Sequence, residues 1–373
     1  MPGATANGIE IEYESFGSED DETVLLIMGL GAQLTRWPVE LCNDLVARGY
    51  RVIRFDNRDS GLSTRMERDH ALAWSDAVFS LMQGKSVFAA YTLKDMAADA
   101  VGLLDALGIE KAHIVGASMG GMIAQHVAFG FPERTLSLTC IMSSSGNPML
   151  PPAKSRVYGL FLSPSPSPND TQAIVARGIE TYETLGGPGF PTDAETLREW
   201  AERDATRAYY PAGVRRQMAA VMADGDRRAK LGTITVPAVV LHGEDDPLVP
   251  VAAGFDTASS IPGAEMRVVQ GMGHDMPIAL VPAIADAITS AAVRATGPKR
   301  ADTVKRPAPP QLTGRLASGL LARVGASASP KRRPALDALS RTGVPMRLRL
   351  RVLPLFMSLK AWVGRMIGRL KKP

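Results

Sequence analysis

Short apolar runs recur along the first 295 residues, and most of them are separated by stretches with helical spacing. Ile9, Ile11 and Tyr13 alternate with polar neighbours, the pattern of a half-buried strand, and a turn follows at Gly17-Ser18-Glu19-Asp20-Asp21. Val24 to Met28 is a continuous apolar run. Similar runs come at 51–55, 113–115, 136–141, 238–241 and 266–269, with helical patterns at 93–107 and 119–131. Strands without alternation, interleaved with helices, predict a parallel sheet covered on both faces.

The alternation breaks between 145 and 228. Loops such as Ser163-Pro164-Ser165-Pro166-Ser167-Pro168 mix there with helical stretches, and no strand pattern is evident. The expected organisation is an α/β core made of 1–144 and 229–295, with a helical lid, 145–228, inserted after the sixth strand. A basic, Pro-rich linker with no periodic apolar face should follow over 296–345, and a basic amphipathic segment over 346–373.

Charge sharpens this division. The whole chain carries 42 Lys and Arg against 38 Asp and Glu. From Thr296 onward there are 18 Lys and Arg and only Asp302 and Asp337, which leaves 24 basic and 36 acidic residues before it. An acidic body thus carries a strongly basic tail. The 45 % hydrophobic content is ordinary for a globular chain, and no run reaches the roughly 18 uninterrupted apolar residues of a membrane span. The amino terminus lacks the charge and apolar run of a secretory signal, so a cytoplasmic location is expected. Cys42 and Cys140 fall in a predicted helix and strand and are expected to be reduced core residues.

Chemistry concentrates at Gly116-Ala117-Ser118-Met119-Gly120, where Gly-x-Ser-x-Gly joins an apolar strand to a helical run. A tight strand-to-helix turn exposes the serine at a helix amino terminus, where amides and dipole favour developing negative charge. A serine hydroxyl needs a base, and the base needs an orienting acid. Of the five histidines, His113, His126 and His242 lie inside predicted elements and His70 in an ambiguous segment. His274, in the late loop Gly271-Met272-Gly273-His274-Asp275, is the expected base. In Gly243-Glu244-Asp245-Asp246-Pro247 the expected acid is Asp246, aimed by the Asp-Pro step, with Asp245 the alternative. Oxyanion donors should be the amides of Met119 and of Leu30, the latter in the loop Met28-Gly29-Leu30-Gly31, with Gly31 second. Leu160, Phe161, Leu162, Tyr209 and Tyr210 are candidate pocket residues, and packing of the lid on the body is the competing role for them. Arg58 and Ser63 suit structural bonds better than substrate contacts.

Over residues 1–295 the chain resembles the α/β-hydrolase superfamily, and within it the aclacinomycin methylesterase-like branch. The resemblance rests on Ile27-Met28-Gly29, Trp37-Pro38, the stretch Asp56 to Thr64, the Gly116 to Gly121 elbow, His242-Gly243 with Asp246-Pro247, and Gly273-His274. Met-Gly replaces the commoner His-Gly at the oxyanion loop, and Arg58-Asp59-Ser60-Gly61 replaces Arg-Gly-x-Gly. Hydrolysis of a small-molecule carboxylic ester is the expected activity, and with no metal-cluster or phosphate-loop pattern in the sequence no cofactor or metal is expected. Perhydrolysis, thioester or lactone cleavage and carbon-carbon bond hydrolysis use the same three residues. Epoxide and haloalkane chemistry is disfavoured because those relatives carry aspartate where Ser118 stands. An idle triad serving ligand binding is the reading from another class.

The carboxyl-terminal end raises a separate question. After Pro354, the residues Leu355, Phe356, Leu359, Trp362, Val363, Met366, Ile367 and Leu370 fill one helical arc, and Lys360, Arg365, Arg369, Lys371 and Lys372 fill the rest. That pattern suits a helix lying in an anionic membrane surface, with docking on the chain's own acidic body the alternative; specific nucleic-acid binding is not expected. Full-length protein should therefore float with anionic liposomes at low salt, and neither a version ending near Gly297 nor the full chain with neutral lipid should do so. A full-length protein that stays with the soluble fraction points to self-docking.

Overall fold

A computed structural model describes residues 3–66 and 87–299. The 296–345 linker, apart from its first few residues, and the 346–373 amphipathic segment lie outside the described residues. Eight strands form one sheet in the order β1-β2-β4-β3-β5-β6-β7-β8. They are β1 (Gly3–Ala6), β2 (Ile9–Phe16), β3 (Thr23–Ile27), β4 (Arg51–Phe55), β5 (Ala112–Ala117), β6 (Thr135–Ile141), β7 (Ala238–Gly243) and β8 (Glu265–Val269). β1 and β2 run antiparallel at one edge, and the pairings from β4 through β8 are all parallel. β1 is the one strand that the apolar pattern did not announce: Gly3-Ala4-Thr5-Ala6 has almost no side chain to bury, and it is held by its backbone register with Ile9 to Glu12.

The apolar runs behave as strands covered on both sides must. In β3, Val24 and Leu26 pack on one face with Leu41, Leu45, Ile284 and Ile288, while Leu25 and Ile27 pack on the other with Met96, Ala97 and Ile123. The first face is covered by α1 (Val39–Ala47) and α10 (Val281–Thr296), the second by α2 (Leu93–Ala106) and α3 (Met119–Gly130). Thr92 and Asp95 form a reciprocal capping box that starts α2. Both cysteines are buried thiols, in α1 and β6. Among the described residues, 278–296 is long and apolar enough to cross a membrane, but Ala283, Ile284, Ala287, Ile288 and Ala291 are buried against the sheet.

Between β6 and β7 the chain leaves the sheet and forms α4 (Ser155–Leu162), α5 (Thr171–Leu185), α6 (Ala194–Arg207) and α7 (Pro211–Asp224) before the short α8 (Arg228–Leu231); α9 (Ala252–Ser260) follows β7. Asp170 and Asp193 cap α5 and α6 by accepting from Ala173 and Thr196 amides. With β1 counted, this helical insertion follows the sixth strand.

The central crossing is built on contact between backbones. A Cβ on Gly120, in the first turn of α3, would drive into the Ile27 carbonyl of β3, and one on Gly116 would drive into the Gly120 carbonyl. Gly130, at the other end of the same helix, has open space around it. Gly120→Ala should therefore cost several kcal/mol, on the order of an overpacked core, and Gly130→Ala should be neutral or stabilise by up to about 1 kcal/mol. Urea denaturation of the two variants beside wild type reads the difference directly; similar midpoints for both would show that α3 can shift away from β3 freely.

Candidate active site

Strand β5 ends at Ala117, and Ser118 turns the chain into α3 with φ 55° and ψ −120°. Such backbone is costly for a residue with a side chain. Neighbouring bonds impose it: the Ser118 N–H donates to the Ile141 carbonyl at 2.9 Å, and the Ser118 carbonyl accepts from the Gly121 amide and from Ser143 Oγ at 2.9 and 2.8 Å. The turn projects the hydroxyl away from the sheet, toward the late loops.

His274 meets it there. Its Nε2 lies 2.9 Å from Ser118 Oγ and its Nδ1 lies 2.7 Å from Asp246 Oδ2. The acid can only accept at Nδ1, so that nitrogen carries the proton and Nε2 is left to accept from the serine. The other oxygen of Asp246 accepts from the amides of Leu248 and Val249 at 2.9 and 2.8 Å, which fixes the carboxylate after the Asp-Pro step. Burial pushes the Asp246 carboxyl up, but His274, together with His242 behind it, outweighs that and holds it well below the ordinary carboxylate range. His242 Nε2 donates to the Val249 carbonyl at 2.8 Å and stands 3.5 Å from Asp246 Oδ2. Asp245 instead accepts from the Gly271 amide at 3.2 Å, outside the chain of bonds.

The loop after β3 comes close to the serine. A Cβ on Gly29 would lie 3.1 Å from Ser118 Cβ and 3.7 Å from its Oγ, so the backbone entering Leu30 passes beside the hydroxyl. Of the two amides considered there, Gly31 N–H already donates to Gln217 Oε1 at 2.7 Å. That leaves Leu30 N–H as the candidate amide of this loop, with Met119 N–H at the start of α3.

Ser118, His274, Leu30 and Gly31 open into a cavity of about 1370 Å³ between core and insertion. Leu160, Tyr209 and Tyr210 line it; the side chains of Phe161 and Leu162 lie outside those described. Arg58 does not reach it: its guanidinium makes a buried, two-pronged pair with Asp99 at 2.6 Å. Ser63 bonds the Asp56 carbonyl at 2.6 Å and the Glu12 amide at 3.0 Å. Both are structural.

Three contributors escaped the sequence reading. Arg216 forks onto Asp59 at 2.9 and 2.8 Å, Gln217 bridges α7 to two core loops, and Asp275 lines the cavity beside the histidine. The signal for the first two was present: Gly213, Arg216, Gln217 and Ala220 form the buried face of α7, with two polar residues where apolar ones are usual. Asp275 gives no such signal in sequence.

A family model described as the alpha/beta hydrolase fold matches residues 22–174. The solved structure of a hydrolase from Pseudomonas aeruginosa superposes with a TM-score of 0.58 at 25 % identity, covering 77 % of this chain and 96 % of that one. The chain has the α/β-hydrolase fold. Its resemblance to the methylesterase-like branch is matched by rhodomycin D methylesterase of Streptomyces peucetius, 29 % identical over 76 % of this chain and 95 % of the relative. A putative carbamate hydrolase of Variovorax paradoxus is 29 % identical over 71 % of this chain and 89 % of its own length.

Asp275 carries a pH signature. Burial pushes its carboxyl up to about 6, beyond what the Gly273 and Gly187 amides offset, and the Asp246 charge adds to the rise. A folded-state value above the unfolded one means that the folded chain holds its proton longer. Stability from this group is therefore greatest in acid and is lost as pH climbs from about 4 through 6. Asp275→Asn removes the penalty, so it should stabilise the fold by about 1–3 kcal/mol at pH 7.5, with the gain shrinking toward pH 4.5. Melting curves across that range check it; a gain independent of pH would assign the effect to packing.

Proposed function

We propose that this α/β hydrolase cleaves a bulky carboxylic ester through an acyl-enzyme on Ser118. The observation that carries the reading is the chain of bonds from Ser118 Oγ through His274 to Asp246, 2.9 and 2.7 Å long, at the floor of the cavity. His274 Nε2 takes the serine proton as Oγ attacks the ester carbonyl. The amides of Leu30 and Met119 receive the negative oxygen, and the dipole of α3 points the same way. Asp246, held ionised, balances the imidazolium. As the tetrahedral adduct collapses, His274 gives the proton to the leaving alcohol, and water then repeats the sequence on the acyl-enzyme to release the acid.

The ester assignment is supported by the rhodomycin D methylesterases, which match over three quarters of the chain. Relatives named as putative carbamate hydrolases, 2-hydroxy-6-oxononadienedioate/2-hydroxy-6-oxononatrienedioate hydrolases and a non-heme chloroperoxidase cover a similar share, and a Ser-His-Asp arrangement also suits carbon-carbon bond hydrolysis and perhydrolysis. The cavity has room for bulk: about 1370 Å³ exceeds the roughly 300–1,000 Å³ of most small-molecule sites. The insertion supplies much of its wall, including Tyr182, Trp200, Tyr209 and Tyr210, and so acts as a lid that selects the substrate.

A fluorophosphonate should label wild-type protein once, on the peptide carrying Ser118, and leave Ser118→Ala unlabelled. Ser118→Ala and His274→Ala should each lose nearly all turnover of p-nitrophenyl esters, since these residues act as a unit. Asp246→Asn should lose about 10³- to 10⁴-fold in kcat, while Asp245→Asn stays within a few-fold. Esters of increasing acyl bulk should raise kcat/KM. Near-wild-type hydrolysis by Ser118→Ala would refute the mechanism, and exchanged severities of the two aspartate variants would reassign the acid.

A further inference from the structure

We infer that Gln217, on helix α7 of the insertion, is a positioning residue for the oxyanion hole. The inference rests on the reading of Ser118 and Leu30 above, and the residue lies outside the chain of bonds just described. Gln217 is fully buried. Its Oε1 accepts from Gly31 N–H at 2.7 Å, and its Nε2 donates to the Arg58 carbonyl at 2.7 Å and to Ser60 Oγ at 3.1 Å. The amide cannot be turned over. A backbone N–H can only donate and a backbone carbonyl can only accept, so the two ends are matched in one orientation alone.

The consequence falls on the peptide next to the reacting atoms. Leu30 and Gly31 are successive amides of one tight loop, closed by the Ala32 amide on the Gly29 carbonyl at 3.3 Å. Gly31 has φ 65°, and a Cβ there would press into Val214, one turn before Gln217 on the same helix face. Drawing Gly31 N–H toward α7 settles the Leu30–Gly31 peptide plane. Leu30 N–H belongs to the neighbouring Gly29–Leu30 peptide, which passes beside Ser118, so fixing the one plane restricts the other. The other end of the loop is held by Asn57 Nδ2, which donates to the Met28 carbonyl at 2.8 Å. Without Gln217 the loop keeps that anchor but loses the one that separates the two amides.

α7 itself cannot drift. Arg216, the adjacent residue, makes its two-pronged pair with Asp59 and also bonds Tyr210 Oη at 2.7 Å. Gly213 lies so close to the Asp59 carbonyl that a Cβ would overlap it. The insertion therefore contributes a fixed hydrogen-bond acceptor to the catalytic loop as well as a wall to the cavity. Donors aimed at the transition-state oxygen act on kcat and leave ground-state binding largely alone.

The test uses the full chain with Gln217→Met, which keeps volume and removes both polar ends, and Gln217→Asn, which pulls the amide back by one methylene. Rates are expressed per Ser118 titrated with fluorophosphonate, so that unfolded molecules do not count. A boronic acid, which forms a tetrahedral adduct on serine, is measured beside them. Gln217→Met should lower kcat per titrated site by about 10- to 100-fold with KM within about threefold, and weaken boronate inhibition by a similar factor. Gln217→Asn should fall between it and wild type. Unchanged kcat per site and boronate affinity in whichever variant folds would overturn the proposal, and a loss of titratable sites alone, with normal kcat, would make Gln217 a structural residue. Wild-type protein that takes up no fluorophosphonate would instead overturn the reading of the site and this inference with it.

Discussion

The structure depends on a single strained turn. Ser118 holds a left-handed backbone between β5 and α3, and no residue with a side chain rests there without being forced. The force comes from both sides: β6 receives the Ser118 amide through Ile141, and α3 lies so close to β5 and β3 that Gly116 and Gly120 admit no Cβ. Strain and close packing thus have one cause, the need to begin a helix with a single residue, Ser118, between it and the end of a central strand. The result is a hydroxyl lifted out of the sheet with helix amides beside it. Each other part of the site arrives at that point from a loop at the same end of the parallel strands.

The insertion is joined to the core by buried polar bonds. Arg216 pairs with Asp59, Arg207 with Asp56 at 2.7 Å, and Gln33 reaches back to the Asp204 and Ala208 carbonyls at 2.7 and 3.0 Å. Buried pairs of this kind contribute little net stability over apolar packing, yet removing one partner strands the other at a cost of about 3–5 kcal/mol. They fix position. The insertion also meets the histidine loop, where the His274 amide donates to the Leu185 carbonyl at 2.8 Å and the Gly189 amide to the Gly271 carbonyl at 2.9 Å. The segment shaping the cavity consequently touches both the Leu30–Gly31 loop and the His274 loop.

How much of this was legible depended on how local its cause is. The parallel core was readable because strands buried on two faces have to be continuously apolar, as Val24 to Ile27 are. Ser118, His274 and Asp246 were each marked by their immediate neighbours: glycines, a late loop, a following proline. The antiparallel strand at Gly3–Ala6 was not, because its cause is pairing with Ile9 to Glu12 rather than any side chain of its own. Gln217 escaped for a related reason. Its partners, Gly31, Arg58 and Ser60, lie more than 150 residues away, and only the fold brings them to its end of α7. The resemblance to the methylesterase-like branch came from the Met28-Gly29 and Asp59-Ser60 departures, and Asp59 proves to be one of the residues that anchor the insertion.

The proposed acyl-enzyme on Ser118 makes one kinetic demand, on partitioning. Two esters sharing one acyl group but leaving different alcohols are hydrolysed in the presence of methanol, and the ratio of methyl ester to free acid is measured for each. A common acyl-enzyme predicts the same ratio for both leaving groups at every methanol concentration. A ratio that changes with the leaving group would mean that water attacks the ester directly, and would contradict the account.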